Sequence, residues 1–268
     1  MSSTPTRSRA GAHSQSLERG LAILSAFRSG RPLLGVSELG REIGLGRSTT
    51  HRYVATLAAL GYLQQDRPTR KYRLGPRVLD LGFSAINSME LREVAAPHLR
   101  RLSDETGFTV NMAILDGADV VYVERCRSAQ AGQREIDLNL HVGSRLPAYC
   151  TSLGKVMLAF LSEDERSALL DRVDFTQRGP NTIVSRGALE AELVRVRSAG
   201  FATNNEELAY GLRSIAAPVL SREGSAVAAI NLAAHSSLMP MERLAEQLSP
   251  TLRRAAADIS AHLGYQPG

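Results

Sequence analysis

Ser37-Glu38-Leu39-Gly40-Arg41-Glu42-Ile43-Gly44-Leu45-Gly46-Arg47-Ser48-Thr49-Thr50-His51-Arg52-Tyr53-Val54-Ala55-Thr56-Leu57 is the stretch on which the fold of the N-terminal third turns. Leu39 and Ile43 lie four residues apart, which places them on one side of a short helix with Ser37 as the expected N-cap. Gly44-Leu45-Gly46 breaks that helix. A second is expected from Arg47 to Leu60, with Tyr53, Val54, Leu57 and Leu60 as its apolar stripe. Two short helices parted by a glycine-containing turn describe a helix-turn-helix. The second helix opens with Arg47, Ser48, Thr49, Thr50, His51 and Arg52, side chains suited to phosphates and base edges, at the end that enters a major groove. No acidic residue falls between Glu42 and Asp66 to repel DNA. The competing reading is the solvated face of an ordinary helix bundle; helix order, turn and charge together favour DNA.

Working outward, Leu17, Leu21, Leu24 and Phe27, with Ile23 beside them, predict a helix over Ser16–Ser29, ended by Gly30-Arg31-Pro32. Downstream of Gly61 the pattern alternates: Tyr62-Leu63-Gln64-Gln65, a turn at Asp66-Arg67-Pro68-Thr69, then Arg70-Lys71-Tyr72-Arg73-Leu74. This reads as a two-stranded wing with Tyr72 and Leu74 facing the core. Arg67 and Arg70 at its tip and Lys71 beside them are further candidate DNA contacts, with a merely solvated hairpin as the alternative.

Charge divides along the chain in the same place. Residues 1–88 hold 13 Lys+Arg against 5 Asp+Glu, and residues 89–268 hold 19 against 22. Such asymmetry is the footprint of a nucleic-acid-binding module joined to a domain with another task. At 268 residues, 43% hydrophobic and 22% charged, the chain suits two globular domains. No apolar run is long enough to span a membrane. Residues 1–14 are Ser/Thr/Arg-rich without a signal-peptide core and are expected to be disordered. Two cysteines, Cys126 and Cys150, are too few for a disulfide scaffold, so a reduced cytoplasmic setting is expected.

The C-terminal two-thirds predict mixed α and β structure. Helices are expected at Gly75–Ser88, Met89–Glu105, Ser152–Leu161, Ser162–Arg172, Ser185–Ala199 and Met241–His262, the last opened by Pro240 and closed by Gly264. Strands are expected at Thr109–Leu115 and Val120–Arg125, joined by a turn at Asp116-Gly117-Ala118-Asp119, and at Phe201–Asn204, Ile215–Leu220 and Ala226–Leu232. Thr151 and Ser152 precede an apolar helix. Hydroxyls and free N–H groups there suit a carboxylate, although an N-cap without ligand is the more common reason for such residues. Cys150 near the same helix start raises a thiol enzyme as a rival class, but no histidine or aspartate signature accompanies it. Cys126, His141 and Cys150 lack paired metal-ligand spacing, so no metal is expected. No cofactor-binding loop of the usual spacing is present.

Taken together, these residues resemble the IclR-type bacterial regulators. The resemblance is carried by Ser16-Leu17-Glu18-Arg19-Gly20-Leu21-Ala22-Ile23-Leu24, the helix-turn-helix above, Gly154-Lys155-Val156-Met157-Leu158-Ala159, Gly211-Leu212-Arg213-Ser214-Ile215-Ala216-Ala217-Pro218-Val219 and Ala229-Ile230-Asn231-Leu232. It implies a winged helix-turn-helix over residues 15–75, a linker helix over 76–88 that supports dimerisation, and an α/β, GAF-like effector-binding and oligomerisation domain with an antiparallel sheet over 89–265. It also implies a homodimer or tetramer on a palindromic double-stranded DNA operator, and a small-molecule effector in place of catalysis. Carried over by position, the effector candidates are Thr151, Ser152, Leu153, Asn204, Leu212, Ser214 and Asn231. Val142-Gly143-Ser144-Arg145-Leu146-Pro147-Ala148-Tyr149-Cys150-Thr151-Ser152-Leu153-Gly154 is similar to regulators of aromatic-acid breakdown through the β-ketoadipate pathway. These respond to protocatechuate, 4-hydroxybenzoate or β-ketoadipate; a different catabolic carboxylate is the alternative. Glu206-Glu207 reads as loop-fixing rather than as an acid/base pair, Arg213 as an ion-pair partner, and Arg145 as either a surface residue or an anion contact.

Overall fold

A computed structural model describes residues 14–28, 30–87, 90–128 and 139–266. Most of the predicted N-terminal disordered segment lies outside these residues, as do Ser88 and Met89 at the expected domain boundary. The chain divides into two compact units, residues 1–88 and 89–268.

In the first unit, α1 (Gln15–Ser25), α2 (Val36–Glu42) and α3 (Arg47–Ala59) are followed by a hairpin of β1 (Leu63–Gln65) and β2 (Tyr72–Leu74), then by α4 (Arg77–Asn87). The helix α2 begins earlier than Ser37 predicts. Leu34 exchanges both backbone hydrogen bonds with Tyr72, which pins the chain beside the wing up to Gly35. Gly35 then becomes the N-cap, and its N–H is accepted by the Glu38 carboxylate at 2.7 Å. A Cβ on Gly40 would meet the Leu45 carbonyl at 2.8 Å, so only glycine lets the α2–α3 turn close this tightly.

Ile23, Leu34, Leu39, Val54, Leu63 and Tyr72 form the core of this unit. Leu17, Leu21, Leu60 and Leu74, expected to be buried, are exposed. A unit this small has room for one apolar line from each element, and on α1 that line passes through Ile23 rather than Leu17 and Leu21.

The second unit is a six-stranded antiparallel sheet with helices on both faces. Its elements are α5 (Glu90–Thr106), β3 (Thr109–Asp116), β4 (Asp119–Cys126), β5 (Arg145–Pro147), α6 (Ser152–Phe160), α7 (Glu163–Leu170), α8 (Arg186–Ala199), β6 (Ala202–Asn205), β7 (Leu212–Leu220), β8 (Ala226–His235) and α9 (Met241–His262). The strand order is β5-β4-β3-β8-β7-β6. On one face Leu99 and Leu102 of α5 and Leu252 and Ile259 of α9 pack on Val110, Met112, Ile215, Ile230 and Leu232. On the other, α6 and α8 pack Leu153, Val156, Leu189 and Leu193 against Val120, Ala216 and Ala229. Alternation along each strand separates the two sets. The strands β7 and β8 outrun their predicted ends because Leu212, Arg213 and Ser214 pair with His235, Ala234 and Ala233. The three-residue β5 was not predicted; so short a segment carries no periodic signal.

Candidate functional site

In the first unit, Arg47, Ser48, His51 and Arg52 are exposed on the opening turns of α3, and Thr49 is half-buried. Thr50 does not join them. It is fully buried, and its hydroxyl donates to the Gly46 carbonyl at 3.0 Å, so it anchors the start of α3 in the core. No acidic side chain occupies the first turn of α3, which leaves its positive N-terminal end uncompensated. In the wing, the Asp66 carboxylate accepts from the Thr69 hydroxyl at 2.5 Å and the Thr69 N–H at 3.1 Å. The hydroxyl bond is the main cause of an Asp66 pKa below its ordinary value. Arg67 and Arg70 are exposed at this tip, Arg70 with a positive φ of 57°. Lys71 instead pairs with Glu38 on α2 at 3.1 Å, so its charge buttresses the wing before it can meet a phosphate.

In the second unit a cavity of about 30 Å³ free volume lies between the N-terminus of α6 and the sheet. Thr151, Ser152, Asn204, Leu212, Ser214 and Asn231 all line it. They do different work. The Thr151 hydroxyl caps α6 by accepting from the Gly154 N–H at 3.0 Å. Helix geometry leaves the Ser152 and Leu153 N–H groups without an intrahelical acceptor. A Cβ on Gly154 would meet the Ala148 carbonyl at 2.2 Å, so glycine permits the tight 3-10 turn over Ala148–Cys150 that aims this end of α6. Ser152 Oγ and Ser214 Oγ share a hydrogen bond of 2.7 Å. Asn204 donates to the Cys150 carbonyl at 2.7 Å and accepts from the Glu207 N–H at 3.1 Å, so its amide shapes the wall. The Leu153 side chain is absent from the lining: it is fully buried in the apolar layer with Val156 and Leu189, because consecutive helical residues diverge by about 100°.

The sequence reading missed Asn111, Tyr122, Arg125, Leu140, Leu208, Ala233 and Ala234, which complete the lining. A signal existed for Asn111: an amide in the middle of Thr109-Val110-Asn111-Met112-Ala113, a strand otherwise fit for burial on both faces. Burial pushes the Tyr122 phenol up to about 12, so it stays neutral at physiological pH.

Around the cavity, Glu207 Oε1 accepts from Lys155 Nζ at 2.5 Å, a buried pair joined by Glu192 at 3.6 Å. Burial raises the Glu207 pKa although Lys155 pulls it down. Glu206 accepts from the Gly211 N–H at 3.0 Å and stands 3.7 Å from Arg213, which also donates to Asn205, Ser236 and Met239. Arg145 pairs with Asp116 and Asp119 on the surface and lies outside the lining. Burial pushes the Cys150 thiol up to about 11, the opposite of an activated nucleophile.

Residues 16–67 match the IclR helix-turn-helix domain, and residues 83–261 match the C-terminal domain of the bacterial transcriptional regulator IclR. The chain is 35% identical over 251 residues to the HTH-type transcriptional regulator XynR of Escherichia coli, covering 94% of this chain and 98% of that one. It is also 35% identical to the Pca regulon regulatory protein of Pseudomonas putida, covering 92% and 84%. A solved transcriptional regulator from Rhodococcus sp. RHA1 superposes with a TM-score of 0.80 at 39% identity, covering 94% and 98%. An IclR homologue from Microbacterium hydrocarbonoxydans, solved with 4-hydroxybenzoate, superposes with a TM-score of 0.79 at 27% identity, covering 93% and 99%. Helix-turn-helix, wing, two-faced sheet and domain matches agree: the chain belongs to the IclR family of bacterial transcriptional regulators.

Proposed function

We propose that this regulator controls genes of aromatic-acid catabolism and takes a small carboxylate of that catabolism, an aromatic acid or its ring-cleavage product, as its effector. Arg47, Ser48, His51 and Arg52 of α3 read a palindromic operator, with Thr49 at their edge and Arg67 and Arg70 on the flanking backbone. The effector's carboxylate lies at the N-terminus of α6, on the Ser152 and Leu153 N–H groups and the Ser152 hydroxyl, while Leu208 and Leu212 pack on its apolar part. Residues 89–265 supply effector binding and oligomerisation, and a homodimer or a pair of dimers matches the two-fold symmetry of the operator. The protein acts on DNA in the cytoplasm.

The observation that carries this reading is the cavity itself, in which polar groups converge at a helix start between apolar walls. The β-ketoadipate-type segment over residues 142–154 supports the aromatic assignment, as does the likeness to the Pca regulon protein and to the 4-hydroxybenzoate complex. The free volume of about 30 Å³ is narrow, so an effector that enters moves the cavity walls and binds the altered arrangement in preference to the empty one.

Calorimetric titration with 4-hydroxybenzoate, protocatechuate and β-ketoadipate is the test. One of them binds the wild-type protein, and Ser152→Trp abolishes the binding; failure of all three refutes the aromatic assignment. Relatives as similar as the Pca regulon protein carry no such pathway in their names, so the second reading is a carboxylate of another catabolic pathway, which keto and hydroxy acids unrelated to ring cleavage distinguish in the same titration.

A further inference from the structure

Three polar residues far apart in sequence form a row across the cavity floor. Asn111 on β3 stands opposite Arg125 on β4 and opposite Asn231 on β8. Arg125 Nη1 donates to Asn111 Oδ1 at 2.9 Å, and Asn111 Nδ2 donates to Asn231 Oδ1 at 2.8 Å. The direction of this relay has a single chemical cause. A guanidinium has only N–H groups to offer, so whatever oxygen it meets must accept. Asn111 therefore presents its carbonyl to Arg125 and its NH2 to the next residue. Asn231 must answer with its carbonyl, and its own NH2 is left as the last donor of the chain, on a residue that lines the cavity. Without the arginine, either amide could turn over at little cost.

The other cavity groups agree with that polarity. The Ser152–Ser214 pair shares one hydroxyl hydrogen and keeps the second for donation. The Asn204 carbonyl is already taken by the Glu207 N–H. Arg125 is the only charged side chain among the described residues that line the cavity.

We infer that Arg125 is a positioning residue: acting through Asn111, it holds Asn231 as a hydrogen-bond donor and thereby makes the cavity select a carboxylate over the isosteric carboxamide. This rests on the effector reading above and assigns the source of its selectivity. A carboxylate accepts at both oxygens, whereas a carboxamide brings an NH2 that meets another donor in this cavity.

The experiment measures dissociation constants of 4-hydroxybenzoate and 4-hydroxybenzamide for the full-length protein. Wild type prefers the acid by roughly 10- to 100-fold, the range for a hydrogen bond to a charged group. Arg125→Gln, whose amide can both donate and accept, brings the ratio close to one, and Arg125→Lys, which only donates, restores it. Asn231→Asp, which leaves the arginine in place, reverses the preference. A purely structural arginine would weaken both ligands alike and keep the ratio; that result overturns the inference, as does a wild-type preference for the amide. If neither probe binds wild type, 4-hydroxybenzoate is not the effector, and the relay is decided on the ligand-free protein by NMR of the asparagine side-chain amides. Wild type and Arg125→Lys then show slow exchange at the Asn111 NH2 and fast exchange at the Asn231 NH2. The same pattern in Arg125→Gln overturns the relay.

Discussion

Replacing Lys155 by methionine tests the most deeply buried charge among the described residues. The Lys155 side chain is 1% exposed and that of Glu207 8%, with Nζ and Oε1 2.5 Å apart. At an effective dielectric of about 20, unit charges at that separation attract by roughly 6–7 kcal/mol, most of which the lost hydration of both ions cancels. Removing only the lysine strands Glu207, which costs about 3–5 kcal/mol. The pH dependence has a definite sign. Burial already holds the folded-state pKa of Glu207 above its ordinary value of 4.5, so this group's contribution to stability falls as pH rises through and above that value. Lys155→Met removes the opposing pull, raises the folded pKa further and steepens that fall. Hydrogen exchange at the Val156, Met157 and Leu158 amides of α6 reads the effect within the second unit alone. At pH 8 the loss reaches the full 3–5 kcal/mol, and it shrinks as the pH falls, because the raised pKa of Glu207 lets the stranded carboxylate take up a proton. Adding Glu207→Gln recovers part of the pH 8 loss. A cost below about 1 kcal/mol at pH 8, or one independent of pH, refutes the reasoning.

Arg47→Ala and Arg52→Ala each weaken operator binding in a gel-shift or anisotropy titration, by about 1–3 kcal/mol and with relaxed sequence preference where a base contact is lost, or with a shallower salt slope where a phosphate contact is lost. Wild-type affinity in both would misplace the DNA-reading face. Thr50→Val destabilises the first unit by about 1 kcal/mol in thermal unfolding, because the Gly46 carbonyl loses its hydroxyl partner, yet leaves operator affinity below the melting range intact. A selective loss of DNA affinity would return Thr50 to the interface.

What could be read in the sequence depended on how locally each feature is specified. The bounds of α9, the α2–α3 turn and the β3–β4 hairpin rest on neighbours a few residues apart, and periodicity captures such features. Ser37 was misread as a cap because the competing constraint, the bridge from Leu34 to Tyr72, comes from the far side of the wing. Thr50 shows the same limit: its residue type suits DNA, and only the packing of α3 on Gly40 turns it inward. The helix-start half of the cavity was legible through Thr151 and Ser152. Its floor was not, because Asn111, Arg125 and Asn231 meet only through strand register, and none belongs to a spacing motif.

The pairing of β3 with β8 bears on how each molecule is born. Asn111 and Asn231 are 120 residues apart, yet they occupy adjacent strands at the centre of the sheet. At a synthesis rate of about 5–20 residues per second, roughly 6–24 s pass between making the first and making the second. Throughout that interval β3 has an open edge, a template for wrong pairing, while the N-terminal unit already holds every segment of its own core. A nascent or prematurely terminated chain that stops before Ala226 therefore carries a DNA reader without a receptor floor. Such a chain lacks the strand that carries Asn231, so the completion of β8 decides whether the cavity exists at all.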